Sequence, residues 1–192
     1  MLFFSLLDMG VSWMAVLLSF VVAFVTSGLA TIFSKRKYIL PIWVFTYLFV
    51  MLYITILGRT PNEGVRIHLV PLWSIHQIES GLIEILYEKV FNVLFFVPYG
   101  TLIGLWFSRR LGFFVGKASQ GCKQRAHAPW FMVKRTMIVG AITSACIELM
   151  QLITKTGFCE TDDVICNAVG CALGAGIACL ILKIYRMLVN GK

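Results

Sequence analysis

The sequence predicts an all-α, polytopic membrane protein with a single domain over residues 1–192. We expect a bundle of about five transmembrane helices, with a re-entrant or interfacial segment in one outer loop. The first supporting observation is composition: 59% of the 192 residues are hydrophobic and only 14% are charged. Too few polar residues remain to cover a soluble domain. The second is a series of apolar runs, and the third is an uneven distribution of basic residues between them.

The first apolar run covers residues 11–33. No lysine or arginine precedes this run, and no small-residue cleavage site follows within the usual reach. A cleaved signal peptide should have both features, so we interpret the run as a retained helix.

Four further runs cover residues 38–57, 90–107, 137–153 and 164–184. At about 1.5 Å per helical residue each approaches the roughly 30 Å of a hydrocarbon core, although 90–107 and 137–153 are near the short end. We predict that all four cross the membrane.

Two connections differ from simple linkers. Residues 67–75 are too short to span and are broken by Pro71, but they are apolar, and Trp73 suits the headgroup level. Apolar residues at helical spacing follow them, with glutamates on the other faces, so we expect a re-entrant or surface-lying element and then a short amphipathic helix. The inner segment 108–135 is basic, and its glycine-containing stretch 116–121 indicates a mobile loop.

The basic residues predict the orientation. Three lie in residues 35–37, seven in 109–135 and three in 183–192, which is thirteen of the 17 lysines and arginines. Because cytoplasmic connections are enriched in basic residues, the N-terminus should be outside and the C-terminus cytoplasmic. The net charge of +8 is then mainly a topological signal, and nucleic-acid binding is disfavoured because the charges flank spans. The cell membrane is the expected location, with membrane lipid as a partner.

Cysteine usage indicates neither a disulfide framework nor a structural metal. No C-x-x-C pair and no Cys/His zinc spacing occurs, and most of the six cysteines lie within spans, where cysteine behaves as a small apolar residue. We therefore predict no metal and no cofactor.

Polar residues recur within the last three runs. Ser144, Glu148 and Gln151 are separated by four and three residues and so share a helical face; Asp163 and Asn167 are four apart. Gly170 and Gly174 continue the second of these faces as G-x-x-x-G, which allows close helix packing. With Asn92 near the outer end of 90–107, these residues predict a polar site among three helices, opening outward, with Asp163 at the rim and Glu148 deeper.

Structural interpretations remain open beside the functional one. Asn92, Gln151 and Asn167 are each explained by an interhelical hydrogen bond, and Asp162 by an ordinary helix start. Arg59 suits an interfacial residue or a partner for a carboxylate. Glu148 is harder to explain structurally, because a carboxylate in a span must be protonated, paired or solvated.

Five segments carry a resemblance to a known family. They are residues 57–60 (Leu-Gly-Arg-Thr), 68–72 (His-Leu-Val-Pro-Leu), 92–100 (Asn-Val-Leu-Phe-Phe-Val-Pro-Tyr-Gly), 147–151 (Ile-Glu-Leu-Met-Gln) and 162–170 (Asp-Asp-Val-Ile-Cys-Asn-Ala-Val-Gly). In order and approximate spacing they resemble the VanZ-like family of membrane proteins, over about residues 38–184. The resemblance implies a small multi-pass protein of Gram-positive membranes, whose founding member raises resistance to the glycopeptide teicoplanin.

The family pattern falls on ten positions of this chain. They are Arg59, Pro71, Asn92, Pro98, Gly100, Glu148, Gln151, Asp163, Asn167 and Gly170. The chain departs from the pattern at His68, where asparagine is common in the family, and at residues 155–160, where a basic residue often follows the fourth span.

We therefore expect reduced susceptibility to glycopeptide and lipoglycopeptide antibiotics, through an outward polar site that binds the drug or a lipid-linked cell-wall precursor. The expected ligand-binding residues are Arg59, Asn92, Glu148, Gln151, Asp163 and Asn167, and the expected structural residues are Pro71, Pro98, Gly100, Gly170 and Gly174.

The alternative is an intramembrane enzyme acting on a lipid-linked or small polar substrate. Glu148 and Asp163 would then be catalytic acid and base, or metal ligands helped by Asn92 and Asn167. Against catalysis, the cluster contains no histidine and no nucleophile with an adjacent base. Transport is disfavoured by five spans without an internal repeat.

Overall fold

Four of the described helices are long and apolar enough to cross a membrane. The computed structural model describes residues 38–57, 67–110 and 124–190. Within these residues the candidate spans are Ile39–Leu57, Ile83–Ser108, Pro129–Thr154 and Thr161–Tyr185. The all-α membrane fold and the last four predicted spans are thereby confirmed. The first predicted span, residues 11–33, lies outside the described residues.

Five helices and two short strands occur in the described part of the chain. In order they are α1 (Ile39–Leu52, continued by a π-helical turn over Tyr53–Leu57), β1 (Ile67–His68), α2 (Trp73–Glu79), α3 (Ile83–Arg110), α4 (Gln124–Thr154), β2 (Cys159–Glu160) and α5 (Thr161–Asn190). Residues Trp43–Lys192 form one compact unit.

Helix α1 places one side against α3 and leaves the other free. Val44, Tyr47 and Met51 are buried, whereas Phe45 and Phe49 are exposed. The Tyr47 hydroxyl donates a 2.7 Å hydrogen bond to the Phe95 carbonyl oxygen of α3. A buried phenol needs such a partner, so this bond connects α1 to α3 inside the bundle.

Helices α3 and α5 approach each other at backbone distance. A Cβ added to Gly174 would overlap the Val97 carbonyl oxygen, and one added to Gly170 would overlap that of Val93. From the α3 side, a Cβ on Gly100 would overlap the carbonyl of Cys171. Glycine at these positions lets the two backbones touch, and such close contact is what stabilises helix pairs in lipid.

Helices α4 and α5 pack with a simple antiparallel register. The Asn167 amide nitrogen donates to the Ser144 hydroxyl at 2.7 Å, and a Cβ on Gly140, one turn before Ser144, would overlap the Cys171 sulfur, one turn after Asn167. One turn beyond the Ser144–Asn167 pair, on the side away from Gly140, the same register brings Glu148 of α4 beside Asp163 of α5. The predicted polar faces of the two helices therefore meet.

Two boundary predictions were wrong. The apolar spacing after Trp73 predicted one amphipathic helix, but α2 ends at Glu79 and α3 begins at Ile83 and continues through the span without a break. Gly81 between them has φ +96°, a left-handed conformation that ends helices and that glycine adopts without strain. The fourth run was predicted to begin at residue 137, but α4 begins at Gln124, because hydropathy marks the hydrocarbon layer and not the end of a helix. The stretch 116–121 lies outside the described residues.

A short parallel strand pair joins the segment before α2 to the segment before α5. Ile67 pairs with Cys159, and His68 pairs with Glu160. This pairing brings α2 and the first turns of α3 and α5 to the same end of the bundle.

Candidate functional site

A buried lysine lies at the centre of this end of the bundle. Lys89, in the second turn of α3, is 6% exposed. Its ammonium donates to Glu160 Oε2 and to Asp163 Oδ1, each at 2.5 Å. Because an unpaired charge cannot be buried cheaply, these two carboxylates are what allow Lys89 to sit inside the protein.

A third carboxylate completes the ion cluster, by which we mean Lys89, Glu148, Glu160 and Asp163. Glu148 is 4% exposed, and its Oε2 accepts a 3.1 Å hydrogen bond from the Glu160 backbone N–H. Three carboxylates thus surround one ammonium in the part of the chain that the structure describes. Burial raises the pKa of the Glu160 carboxyl above its ordinary value, and the hydrogen bond from Lys89 acts in the opposite direction.

Asp162 binds a different element from its neighbour Asp163. Its carboxylate accepts hydrogen bonds from the Leu72 N–H at 2.5 Å, the Ser74 N–H at 2.9 Å and the Ser74 hydroxyl. Leu72 precedes α2, has φ 64° and provides no side-chain cap of its own. The carboxylate of Asp162 therefore satisfies the free N–H groups at the start of α2 from a distant part of the chain.

Trp73 covers the ion cluster. Its ring stacks on His68 with centroids 4.3 Å apart, and the Lys89 ammonium nitrogen lies 5.9 Å from the centroid of the indole. That distance is within the range of a cation–π interaction. The strand pair and Asp162 together hold Trp73 in this position.

A second polar layer lies one helical turn further into the bundle. Ser144 and Asn167 are bonded to each other there, and the Asn167 Oδ1 atom is buried with no hydrogen-bond partner among the described residues. Gln151 is directed elsewhere: its amide nitrogen donates at 3.1 Å to the Thr55 carbonyl in the π-helical turn of α1. The residues predicted on one face of α4 thus contact two different helices.

The structure brings only some of the predicted ligand residues together. Glu148 and Asp163 share the ion cluster, with Asn167 one turn away. Asn92 is half-buried on α3 and makes none of the hydrogen bonds that hold the cluster. Arg59 lies outside the described residues. Asp163 was expected at an open rim, but it is buried against Lys89, so the site is enclosed at this point.

The predicted structural residues occupy different settings. Gly100, Gly170 and Gly174 lie at the contact of α3 with α5. Pro98 is inside α3, and Pro71 is exposed in the turn before α2.

Sequence reasoning missed Lys89, Glu160 and Ser74. Lys89 lies just before the apolar run 90–107 and so fell outside the predicted spans. The signal that would have found it is periodic: Lys89 lies seven residues before the buried Phe96, which is seven before the buried Ile103. Extending α3 towards its N-terminus places Lys89 on the buried face, where it needs an acidic partner.

In the ranges 38–57, 67–110 and 124–190, no group of three or more His, Cys, Asp or Glu side chains is arranged to hold a metal ion. Instead, the carboxylates of the ion cluster accept hydrogen bonds from the Lys89 ammonium and from the Glu160 backbone N–H. It can hold charge inside the protein, and Lys89 is the group in it that would attract an anion.

An enclosed ion cluster at one end of a multi-span bundle defines a polytopic α-helical membrane protein with a buried polar site. The chain belongs to the VanZ/LLP1 family, whose family model matches residues 42–182. The match covers the four described spans almost completely and includes every residue of the ion cluster, and it confirms the resemblance found in the sequence. Comparisons with curated proteins and with solved structures give no match.

Proposed function

We propose that this protein lowers the susceptibility of its cell to glycopeptide antibiotics of the teicoplanin type, through a site at the outer end of the bundle. Family membership supports a role of this kind. The observation that carries the site is the buried ion cluster of Lys89 with Glu148, Glu160 and Asp163. Four ionisable groups are costly to bury in a small membrane protein, and such groups usually mark a functional site.

The distribution of charge supports an outward position for the cluster. Basic residues Lys134, Arg135 and Lys183 lie towards the far ends of α4 and α5, whereas Glu160 and Asp162 lie at the cluster end. Because basic residues collect on the cytoplasmic side, the cluster end would face outward. Glycopeptides act on that side, on a lipid-linked cell-wall precursor.

The ligand at this site would be the drug or the precursor. Both candidate catalytic carboxylates are already engaged, Asp163 by Lys89 and Glu148 by the Glu160 N–H. This arrangement favours binding over turnover. A phosphate or carboxylate of the ligand would compete with Glu160 and Asp163 for Lys89, so the site would respond to the removal of charge more than to small changes of shape.

The test is drug susceptibility of a teicoplanin-sensitive Gram-positive strain expressing wild-type protein, Glu148→Gln or Asp163→Asn. The wild type should raise the inhibitory concentration of teicoplanin, and both amide variants should lose most of that increase while still present and folded in the membrane. Gln151→Ala should show a milder loss. The matched control is Glu84→Gln, the same substitution at an exposed position of α3. Full protection by both amide variants at wild-type thermal stability would reject a functional role for the cluster.

A second arm separates the two candidate ligands. A glycopeptide without an acyl chain shares the precursor target of teicoplanin but lacks its lipid. Protection limited to the acylated drug would indicate recognition of the drug's lipid-bearing end. Equal protection against both would indicate the precursor.

A further inference from the structure

The turn between β1 and α2 presents an unbroken apolar surface. Leu69, Val70 and Leu72 are 68%, 69% and 56% exposed, and Pro71 between them is also exposed. The polar groups of the same segment point the other way, where Ser74 is buried against Asp162. Residues 69–72 therefore form an exposed apolar side, while Ser74, two residues further on, faces Asp162.

The position of this turn relative to the start of α5 is fixed by its hydrogen bonds. Asp162 is the second residue of the candidate span Thr161–Tyr185, and its carboxylate is bonded directly to the Leu72 N–H. On the other side of the turn, His68 is paired with Glu160. Leu69 is only three residues from Leu72, so it lies within about 10 Å of the level at which the span begins.

Exposed apolar side chains also occur at the start of the neighbouring membrane span. Along the first half of α3 the exposed large side chains include Ile83, Leu86, Val90 and Leu94, and Ile75 of α2 is exposed as well. A transmembrane helix directs such side chains at lipid. The turn is bonded to the second residue of the last span, so the lipid that faces the spans is also the occupant that its exposed side chains fit.

The backbone of the turn is also suited to a membrane boundary. Irregular backbone is tolerated near hydrocarbon only where its polar groups have partners. Asp162 supplies them for the N–H groups of Leu72 and Ser74.

From these observations we infer that residues 69–72 form a lipid-contact element, which lies at the boundary of headgroups and acyl chains without crossing the bilayer. Its partner is the acyl region of phospholipid in the leaflet on the side of the ion cluster. Asp162 is the positioning residue that sets its depth. This inference is independent of the proposed effect on antibiotics.

The test uses full-length protein in phosphatidylcholine vesicles with a nitroxide label at one cysteine. Cys122, Cys146, Cys159, Cys166 and Cys179 are replaced by serine, and the buried Cys171 is kept. Labels at Leu69→Cys and Val70→Cys should be more accessible to oxygen, which concentrates in lipid, than to a water-soluble nickel chelate. Labels at the exposed polar positions His76→Cys and Glu79→Cys should show the opposite preference.

Two results would overturn the inference. Equal preference for the nickel chelate at Val70→Cys and Glu79→Cys would place the turn in water. Low accessibility to both reagents at Val70→Cys would show that protein covers it, for example a second copy of this chain.

The positioning role of Asp162 has its own readout. Asp162→Ala should shift the Val70→Cys label towards the chelate preference, whereas a label at the exposed Leu173→Cys on α5 should keep its depth. Ser74→Ala removes only the hydroxyl contact and gives a smaller shift in the same direction, which keeps the test valid if Asp162→Ala does not fold. An unchanged depth at Val70→Cys in folded Ser74→Ala and Asp162→Ala protein would refute the positioning role.

Discussion

The Asp162 carboxylate accepts hydrogen bonds from both the backbone N–H and the hydroxyl of Ser74, a residue 88 positions earlier in the chain. Ser74 is the second residue of α2, a seven-residue helix that is too short to be stable by itself, and Asp162 is the second residue of the 30-residue helix α5. The contact therefore stabilises the short helix α2 by bonding it to the long helix α5. Trp73, between the two bonded N–H groups, is held over Lys89 as a result.

A double-mutant cycle should detect this contact. Asp162→Asn and Ser74→Ala should each lower the thermal stability, because each leaves a buried polar group with fewer partners. Together they should cost less than the sum of the single changes, by about 0.5–3 kcal/mol, since they share one interaction. The measurement is thermal unfolding in detergent at constant lipid content. Ser80→Ala paired with Asp162→Asn is the control, because Ser80 is exposed and its hydroxyl donates to the Gln77 carbonyl oxygen, away from Asp162. Additivity in both pairs would contradict the coupling.

Removing the ammonium of Lys89 should be strongly destabilising. Lys89→Met keeps much of the side-chain volume but leaves Glu160 and Asp163 buried without their cation, and breaking a buried ion pair from one side costs about 3–5 kcal/mol. The folded yield and the unfolding temperature should both fall. Adding Asp163→Asn to Lys89→Met should restore part of the loss, because one of the two uncompensated charges is then gone.

The control for that experiment is Lys155→Met, since Lys155 is exposed at the same end of the bundle. It should change stability very little. A similar loss from both lysine substitutions would show that the effect of Lys89→Met does not come from the buried ion pair.

Close packing of α3 on α5 can be tested with three glycines of the same helix. Gly170→Ala and Gly174→Ala each place a methyl group on a carbonyl oxygen of α3, so the helices must separate, at a cost of about 1–3 kcal/mol. Gly176→Ala is the matched control, because nothing lies within 4 Å of an added Cβ there. It should be neutral or slightly stabilising, since alanine favours helix by roughly 1 kcal/mol over glycine. Equal losses at all three positions would contradict the packing account.

The orientation is tested by labelling from outside the cell. We expect a membrane-impermeant thiol reagent to modify Asn62→Cys and not Gln120→Cys, each on a background without the reactive native cysteines, because thirteen basic residues collect in the connections on the side of residue 120. The reverse pattern would put the ion cluster on the cytoplasmic side and would remove the basis for an action on drugs outside the cell.

Local sequence patterns were enough to predict the helices and two members of the ion cluster, Glu148 and Asp163. Hydropathy predicted the spans, and the four-residue spacing of Ser144 with Glu148 and of Asp163 with Asn167 placed polar groups on two faces that do meet. These features depend on residues close in sequence, for which helix geometry gives the spatial relation directly.

The part of the ion cluster formed by Lys89 and Glu160 depends on contacts between residues that are distant in the sequence. Lys89 is 71 residues from Glu160 and 74 from Asp163, and no local periodicity specifies such a pairing. Lys89 also lies one residue before the apolar run 90–107, so hydropathy left it outside the span. The break at Gly81 was also missed, because apolar spacing continued across it while the backbone changed to a left-handed conformation.

The long separation between Lys89 and its partners has a consequence for how the protein is made. Helix α3 leaves the ribosome and enters the membrane well before Glu160 and Asp163 have been synthesised, so its lysine has neither acidic partner during that interval. Only insertion of the last helix supplies both carboxylates at once. A nascent chain that stops before Glu160 lacks both partners of Lys89 at the membrane, where unpaired charge is costly, so the ion pair can form only after the start of α5 has been made.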